Sequence, residues 1–521
     1  MKLHFHVICP MVLTVWLEAM AGGDGFVVVE GKKMFLDGKP YFYCGTNFWY
    51  GMNLASLGPG GDRDRLNREL DALVLLGIRN LRVMAGSEGP ADEPQRMLPP
   101  LQTEPGVYDP DVLDGLDYLL YAMDQRGLRA VMCLNNFWQW SGGMAQYVRW
   151  NGGSPIPYPP PWDVFMDYSA GFYTNTGAVA DFNGHIRFIV NRLNPYSGLA
   201  YRDDPAVMAW ELANEPRGQS NAEAMNLWID ETAALIKSLD SNHLVTTGCE
   251  GFDFIVNHDG VDIDYATIHI WPQNWGWYNP WNPYNTFGNA LASATDFFND
   301  HAVMAAAMNK PLVLEEFGMA RDNGSFDPAT TTSWKDQFFQ VMFDLVHQSA
   351  LSGGPACGDN FWAWAGEGRP KTPYGSMWQS GDEWIGDPPH EQQGWYSVYD
   401  TDSTTLAKIS GHAASMNQLG DDGVADPSRV SKTLISLQAF PSPFREDIIF
   451  AANLPPRSRS VVLEISDMLG RMLFALPMEM DRLTYRLSGS DFVRAGASSG
   501  VYVARLRWET GSVQIRFVWM K

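Results

Sequence analysis

The chain is predicted to fold as α/β, a (β/α)8 TIM barrel followed by a small all-β sandwich domain. Three observations predict this. Between about residues 27 and 420, short apolar runs alternate with longer amphipathic stretches through eight cycles. Polar and aromatic residues gather where the apolar runs stop, as they would at the C-terminal mouth of such a barrel. Beyond a Gly-, Asp- and Ser-rich stretch at 421–433, the pattern changes to brief alternating segments of strand period.

The cycles can be taken in order. "YFYCGTNFW" is a strand that runs into a polar, aromatic loop. "DRLNRELDALVLLG" follows as a helix ended by Gly77, and "IRNLRVMA" is the second strand. Helix "DPDVLDGLDYLLYAMDQRG" leads to strand "LRAVMCLNN", and a helical region near 178–193 leads to strand "AVMAWELANE". Helix "NAEAMNLWIDETAALIKSLD" and strand "HLVTTG" come next; "GFDFIVNHDG" then offers only a short helix, the weakest member of the series. Strand "YATIHI", helix "SATDFFNDHAVMAAAM", strand "PLVLEEFG", helix "SWKDQFFQVMFDLVHQSA", strand "DNFWAWAG" and helix "TTLAKISGHAASMNQL" complete it. After the linker, "VVLEISDMLGRMLFAL", "LTYRLSG", "GVYVARLRW" and "SVQIRFVWM" alternate as strands of a sandwich over 434–521.

Composition narrows the function. The net charge of −23 argues against nucleic acid and anionic membrane as partners, and favours a neutral substrate. Residues 1–21 carry Lys2, an apolar run and a small-x-small site at Ala19 and Ala21, the outline of a secretory signal peptide. The run is too short for a stable membrane span. Cys44, Cys133, Cys249 and Cys357 are scattered singly without metal-ligand spacing.

The strand ends carry chemistry. Glycoside hydrolysis needs two carboxyl groups astride one bond, one to protonate the leaving oxygen and one to attack or to activate water. "WELANEPR" ends the fourth strand with Glu211 and Glu215, and "LEEFG" ends the seventh with Glu315 and Glu316, across the barrel mouth. A divalent-metal site from Glu211, Glu215, His269 and Glu316 is the other reading of the same residues, although no HxH or HxxE pairing supports it. Both faces of a barrel strand are buried, so alternation does not decide which glutamate of each pair acts. One of each pair is expected to rest against Arg82 inside the barrel.

The motifs "GTNFWYG", "LRVMAGSEG", "WELANEPR", "IHIWPQNWGWY", "LEEFG" and "FWAWAGE" resemble glycoside hydrolase family 5, and more narrowly its endo-β-1,4-mannanase branch. The resemblance covers about residues 27–420 and keeps the family order of motifs. It implies a retaining mechanism with no metal or other cofactor. On these motifs Glu215 is the general acid/base and Glu316 the nucleophile; Asn214 would bind the sugar 2-hydroxyl and Arg82 would hold Glu316 ionised. His269 lines the site near the acid/base, Trp271 stands where many members carry tyrosine, and Trp362 is the platform under the sugar on the non-reducing side. A raised pKa is expected for Glu215 from burial and the charge of Glu316, with the two carboxyls about 5–5.5 Å apart.

The implied function is a secreted endo-β-1,4-mannanase acting on mannan, glucomannan or galactomannan. A β-1,4-glucanase on the same scaffold and a non-catalytic glycan-binding surface protein are the rivals. The tail pieces "FPSPF", "EISDMLGRML", "SGVYVARL" and "IRFVWMK" resemble the C-terminal sorting domain of the type IX secretion system of Bacteroidota and relatives. That resemblance implies the secretion machinery as a partner and an extracellular or cell-surface location. A carbohydrate-binding module is the competing reading of the tail.

Overall fold

The computed structural model describes residues 25–93, 95–421, 436–440, 447–453, 461–468, 470–478, 484–509 and 511–521. The expected signal segment at 1–21, all but the first residue of the expected linker, and Pro441–Phe444 of "FPSPF" lie outside the described residues.

Eight parallel strands form the barrel sheet: β1 (Tyr43–Asn47), β2 (Asn80–Met84), β3 (Arg129–Cys133), β4 (Val207–Glu211), β5 (Leu244–Thr246), β6 (Ala266–Ile270), β7 (Leu312–Phe317) and β8 (Ala356–Phe361). Their order, β5-β4-β3-β2-β1-β8-β7-β6, is that of a (β/α)8 barrel opened at one seam. The seam falls between β5 and β6, where β5 has only three residues. Single contacts bridge it: Asp264 N–H donates to the Val245 carbonyl at 2.8 Å, and Thr246 Oγ1 to the Tyr265 carbonyl at 2.9 Å. The short helix predicted there spans only Phe254–His258.

The outer helices are α1 (Arg63–Leu75), α2 (Pro110–Asp124), α3 (Thr176–Val190), α4 (Ala222–Leu239), α5 (Phe254–His258), α6 (Pro283–Ala307), α7 (Ser333–Leu351) and α8 (Ser403–Asp421). Local chemistry sets their starts. Asp62 accepts from Arg65 N–H at the head of α1, and Asp109 accepts from Val112 N–H at the head of α2, where Pro110 occupies the first turn. Every residue of β1, β2 and β4 is buried, so the barrel strands present no polar face to water.

α8 packs over the paired strands β1 and β8 through a specific contact. His412 Nε2 lies 2.6 Å from Asp359 Oδ2, and its ring stacks on Phe343 of α7 with centroids 4.2 Å apart. Asp359 pairs with Cys44 across the two strands. Cys44, Cys133, Cys249 and Cys357 are free and buried.

In the C-terminal part, strands β9 (Ser436–Phe440), β10 (Asp447–Asn453) and β13 (Thr484–Ser488) form one sheet. β11 (Val462–Asp467), β12 (Met472–Pro477), β14 (Gly500–Trp508) and β15 (Gly511–Trp519) form another. Ile448 and Phe450 of the first and Ile465, Tyr502 and Phe517 of the second share one buried core, which makes a sandwich. Among the described residues no helix is long and apolar enough to cross a membrane.

Removing one member of a buried hydrogen-bonded pair leaves the other unpaired in a low dielectric. His412→Ala is therefore expected to destabilise the barrel by about 3 kcal/mol in urea unfolding. An unfolding midpoint unchanged from wild type would show that Asp359 does not depend on it.

Candidate active site

The strand ends deliver their side chains to one mouth. β7 carries an irregularity: Ile268 of β6 pairs with Leu314, but the next residue, His269, pairs with Glu316. Glu315 is thus an extra residue on β7, and the bulge lets two consecutive glutamates face the barrel interior. This is the feature that strand alternation could not reveal. After β4 the chain turns so that Glu215 N–H donates to the Gly248 carbonyl at 3.0 Å. Glu215 itself sits at φ +49, a left-handed conformation uncommon for a side chain of its size and typical of functional positions. Gly248 (φ +76) makes room for the turn, since a Cβ there would lie 2.0 Å from the Ala213 carbonyl oxygen.

Arg82, buried in the middle of β2, organises the floor. Its Nε and Nη2 donate in parallel to Glu211 at 2.7 and 2.6 Å. Nη2 also donates to Asn214 Oδ1 at 2.8 Å, and Nη1 donates to Asn47 Oδ1 at 3.0 Å and to Glu316 Oε1. Glu315 stands 3.8 Å from the same guanidinium. Burial works against the charge on Arg82, but the surrounding carboxylates raise it well above its ordinary value. Glu211 and Glu316 are the carboxylates bonded to Arg82, and Glu315 stands at ion-pair distance from it.

Above that floor, His269 stands between the two glutamates. Its Nδ1 lies 2.8 Å from Glu215 Oε1 and 3.3 Å from Glu316 Oε2. An oxygen of Glu215 and one of Glu316 lie within 4.8 Å of each other. Trp138 Nε1 donates to Glu215 Oε2 at 2.6 Å, and Trp271 Nε1 donates to Glu316 Oε2 at 3.1 Å. Where many family members carry tyrosine, the indole N–H of Trp271 thus supplies the donor to Glu316. Trp362 packs edge-on to Trp271, with ring centroids 5.7 Å apart, and lines the mouth.

The protonation pattern differs from expectation. Burial alone would raise Glu215, but the hydrogen bond from His269, the charges of His269 and Arg217, and the Trp138 N–H take it down to about 2. Burial raises Glu316, although His269 and Arg82 counter it. Burial would lower His269, yet the glutamates around it raise it to about 10. These shifts favour the proton on His269 over Glu215, whose Oε1 lies 2.8 Å from His269 Nδ1. The negative charge of Glu316 alone would raise Glu215; the His269 cation between the two carboxylates reverses the sign.

Glu215, His269 and Glu316 also have the spacing of a three-ligand metal set. Their oxygens are already taken by donors, however: Arg82 and Trp271 on Glu316, His269 and Trp138 on Glu215. A guanidinium bonded directly to one ligand oxygen repels a divalent cation, so the residues do not fit one.

Trp138, Asn214, Glu215, Trp271, Glu316 and Trp362 line a cavity of about 870 Å³, while Arg82 and His269 lie behind its wall. Several of its walls were not singled out from sequence. Arg217 lies over the face of Trp138, 4.7 Å from the ring centroid, and its Nε donates to buried Glu250 at 2.7 Å. His390 and Glu391 reach the cavity from the long segment between β8 and α8. No motif marks them; only their placement on an active-site loop could have drawn attention. His243, by contrast, is tied to Asp240 and to the Asp204 carbonyl and serves the fold.

Residues 24–421 match the family described as "GH family 5 beta-mannosidase-like". The chain belongs to glycoside hydrolase family 5. A curated relative, mannan endo-1,4-beta-mannosidase 4 of Oryza sativa subsp. japonica, is 30% identical over 377 residues, covering 67% of this chain and 75% of the relative. The solved family 5 mannosidase from Rhizomucor miehei is 41% identical with a TM-score of 0.72, covering 77% of this chain and 99% of that one. The endo-beta-1,4-mannanase from Thermotoga petrophila, at 21% identity, 93% and 98% coverage and a TM-score of 0.64, shares the fold. This family 5 chain is a glycoside hydrolase on a (β/α)8 barrel.

Two measurements test the site. Glu215→Gln is expected to lower kcat by about 10²–10⁴-fold, and Glu316→Gln by at least as much. Glu211→Gln should lose more stability than rate, and a larger rate loss there than in Glu215→Gln would reverse the roles. For pH, His269 rises from 6.5 to about 10 on folding, so its stabilisation is complete below pH 6.5 and lost as pH climbs through about 10. The melting temperature of the wild type should therefore fall across that window more steeply than that of His269→Gln. Parallel curves would refute the charged imidazole.

Proposed function

We propose that the protein hydrolyses β-1,4-mannosidic bonds in mannan-type polysaccharides, with retention of configuration. The observation that carries the mechanism is the short reach between Glu215 and Glu316 oxygens, within 4.8 Å, because retaining enzymes hold their carboxyls about 5–5.5 Å apart and inverting ones leave room for a water. Glu316 attacks the anomeric carbon while the proton held between His269 and Glu215 passes through Glu215 to the departing glycosidic oxygen. The C–O bond breaks and a glycosyl ester forms on Glu316. Glu215 then takes a proton from the incoming water, which displaces Glu316 from the same carbon. Arg82 and Trp271 stabilise Glu316 as carboxylate and as leaving group. Asn214, its amide fixed by bonds to Arg82 and Asn136, is placed to hold the 2-hydroxyl.

The rice relative's name supports internal cleavage of mannan, the endo-acting reading, over a β-1,4-glucanase. Release of single sugars from the chain end is a second reading, favoured by one observation. Half-buried His390 and Glu391 from the β8–α8 segment stand in the cavity close enough to Glu215 to feel its charge, and Glu391 feels Glu316 as well. Glu391 Oε2 is buried without a hydrogen-bond partner, as a group awaiting a sugar hydroxyl would be. The signal-like N-terminus and the sorting-domain resemblance of the sandwich support export through the type IX machinery to the cell exterior or surface.

The deciding experiment follows products from mannohexaose, linear mannan and carboxymethyl-cellulose. A ladder of short oligosaccharides from the mannans supports internal cleavage, and mannose as the sole early product supports chain-end release. Activity confined to carboxymethyl-cellulose would sink the mannoside assignment.

A further inference from the structure

The segment between β8 and α8 leaves the barrel at Trp364–Gly366 and returns at Val398–Tyr399, where the two strands pair. Between them it carries His390 and Glu391 into the cavity. A loop of this length is a poor platform for a site unless something fixes it, because side-chain placement within about 0.5 Å matters for binding and catalysis. One ion pair, outside the cavity and touching no substrate, fixes both limbs of its first half.

That pair is Arg65–Glu69, one turn apart on α1, with Nε donating to Oε1 at 3.1 Å. Arg65 and Glu69 are 4% and 3% exposed, charged residues on the same buried face of the helix as Leu66, Leu70 and Leu73. Glu69 accepts from the outgoing limb: Trp364 Nε1 at 2.7 Å and Glu367 N–H at 3.0 Å. Arg65 Nη2 donates to the outgoing limb at the Ala365 carbonyl, 3.1 Å away, and to the returning limb at the Trp384 carbonyl, 2.8 Å away. Two glycines let the chain come this close. A Cβ on Gly366 would lie 1.7 Å from Glu69 Oε2, and one on Gly368 would lie 2.2 Å from Arg65 Nη2.

From Trp384 the path to the cavity is short and stiff. Trp49 Nε1 holds the Gly386 carbonyl at 2.9 Å. Asp387 then accepts from Gly394 N–H at 2.9 Å, Tyr396 N–H at 2.6 Å and Ser397 Oγ at 2.5 Å, tying the turn that contains His390 and Glu391 into a knot. The same outgoing limb begins two residues after Trp362, so the aromatic platform and the two polar wall residues share one anchor.

We propose that the Arg65–Glu69 pair is a positioning device that sets where His390 and Glu391 stand, and thereby which length of mannoside the enzyme accepts. The inference rests on the mannoside reading above. It assigns Arg65 and Glu69 no contact with sugar and no part in bond breaking. Lysine cannot replace Arg65, since one ammonium cannot span Glu69 and two carbonyls in the planar fork that the guanidinium provides. Glutamine at position 69 keeps the shape but loses the charge that holds Arg65 in place.

The test uses the full-length enzyme with Arg65→Lys, Glu69→Gln and Gly368→Ala, the last disturbing the anchor from the loop side while leaving both charged residues in place. KM and kcat are measured on mannotriose and mannohexaose together with the early product profile. The expected result is a KM for mannotriose raised by about tenfold, with kcat within about threefold and a shifted ratio of mannose to longer products. Wild-type KM and product ratio in folded Gly368→Ala and in either α1 variant would overturn the proposal, even if melting temperatures fell, because a merely structural pair moves stability alone. If Arg65→Lys and Glu69→Gln fail to fold, Gly368→Ala decides it by the same criterion. Wild-type enzyme inactive on every mannoside would instead defeat the underlying functional reading.

Discussion

The buried guanidinium of Arg82 is the constraint on which the site depends. A charge of that kind cannot stay in a barrel interior unless it is paired and fully hydrogen-bonded. Here the requirement is met by groups from three strands: Asn47 at the end of β1, Glu211 and then Asn214 after β4, and Glu316 of β7. Satisfying Arg82 therefore fixes where Glu316 points and how the Asn214 amide is turned. The catalytic geometry follows from the need to solvate one cation without water.

A second cation, His269, completes the electrostatics. His269 holds Glu215 as a carboxylate, and Arg82 and His269 together counter the burial that raises Glu316. In the proposed mechanism the proton for the leaving group comes from the His269–Glu215 hydrogen bond. Substrate entering the cavity displaces water from these groups and strengthens every one of these interactions. The indole donors of Trp138 and Trp271 add orientation without adding charge, which leaves the net balance to the two cations.

Much of this was legible in the sequence, for identifiable reasons. The eight strand ends could be read because each apolar run stops at a polar or aromatic cluster, and Glu215 and Glu316 stand in two such clusters. The weak β5–β6 corner was visible as well, since "GFDFIVNHDG" has too few apolar positions for a full helix. Three things were not legible. The bulge that turns both Glu315 and Glu316 inward depends on register with β6, which a single strand does not encode. The protonation of Glu215 depends on a histidine 54 residues away, whose ring nitrogen meets it only in the folded barrel. His390 and Glu391 sit in a loop without periodicity, anchored by a helix more than 300 residues earlier in the chain.

The central claim is that Glu215 and Glu316 act in two displacements on one anomeric centre. Its most direct test is proton NMR of the anomer formed first during hydrolysis of a β-mannoside, read before mutarotation. Two inversions through an ester on Glu316 release the β anomer first. First appearance of the α anomer would mean a single displacement by water and would contradict the claim.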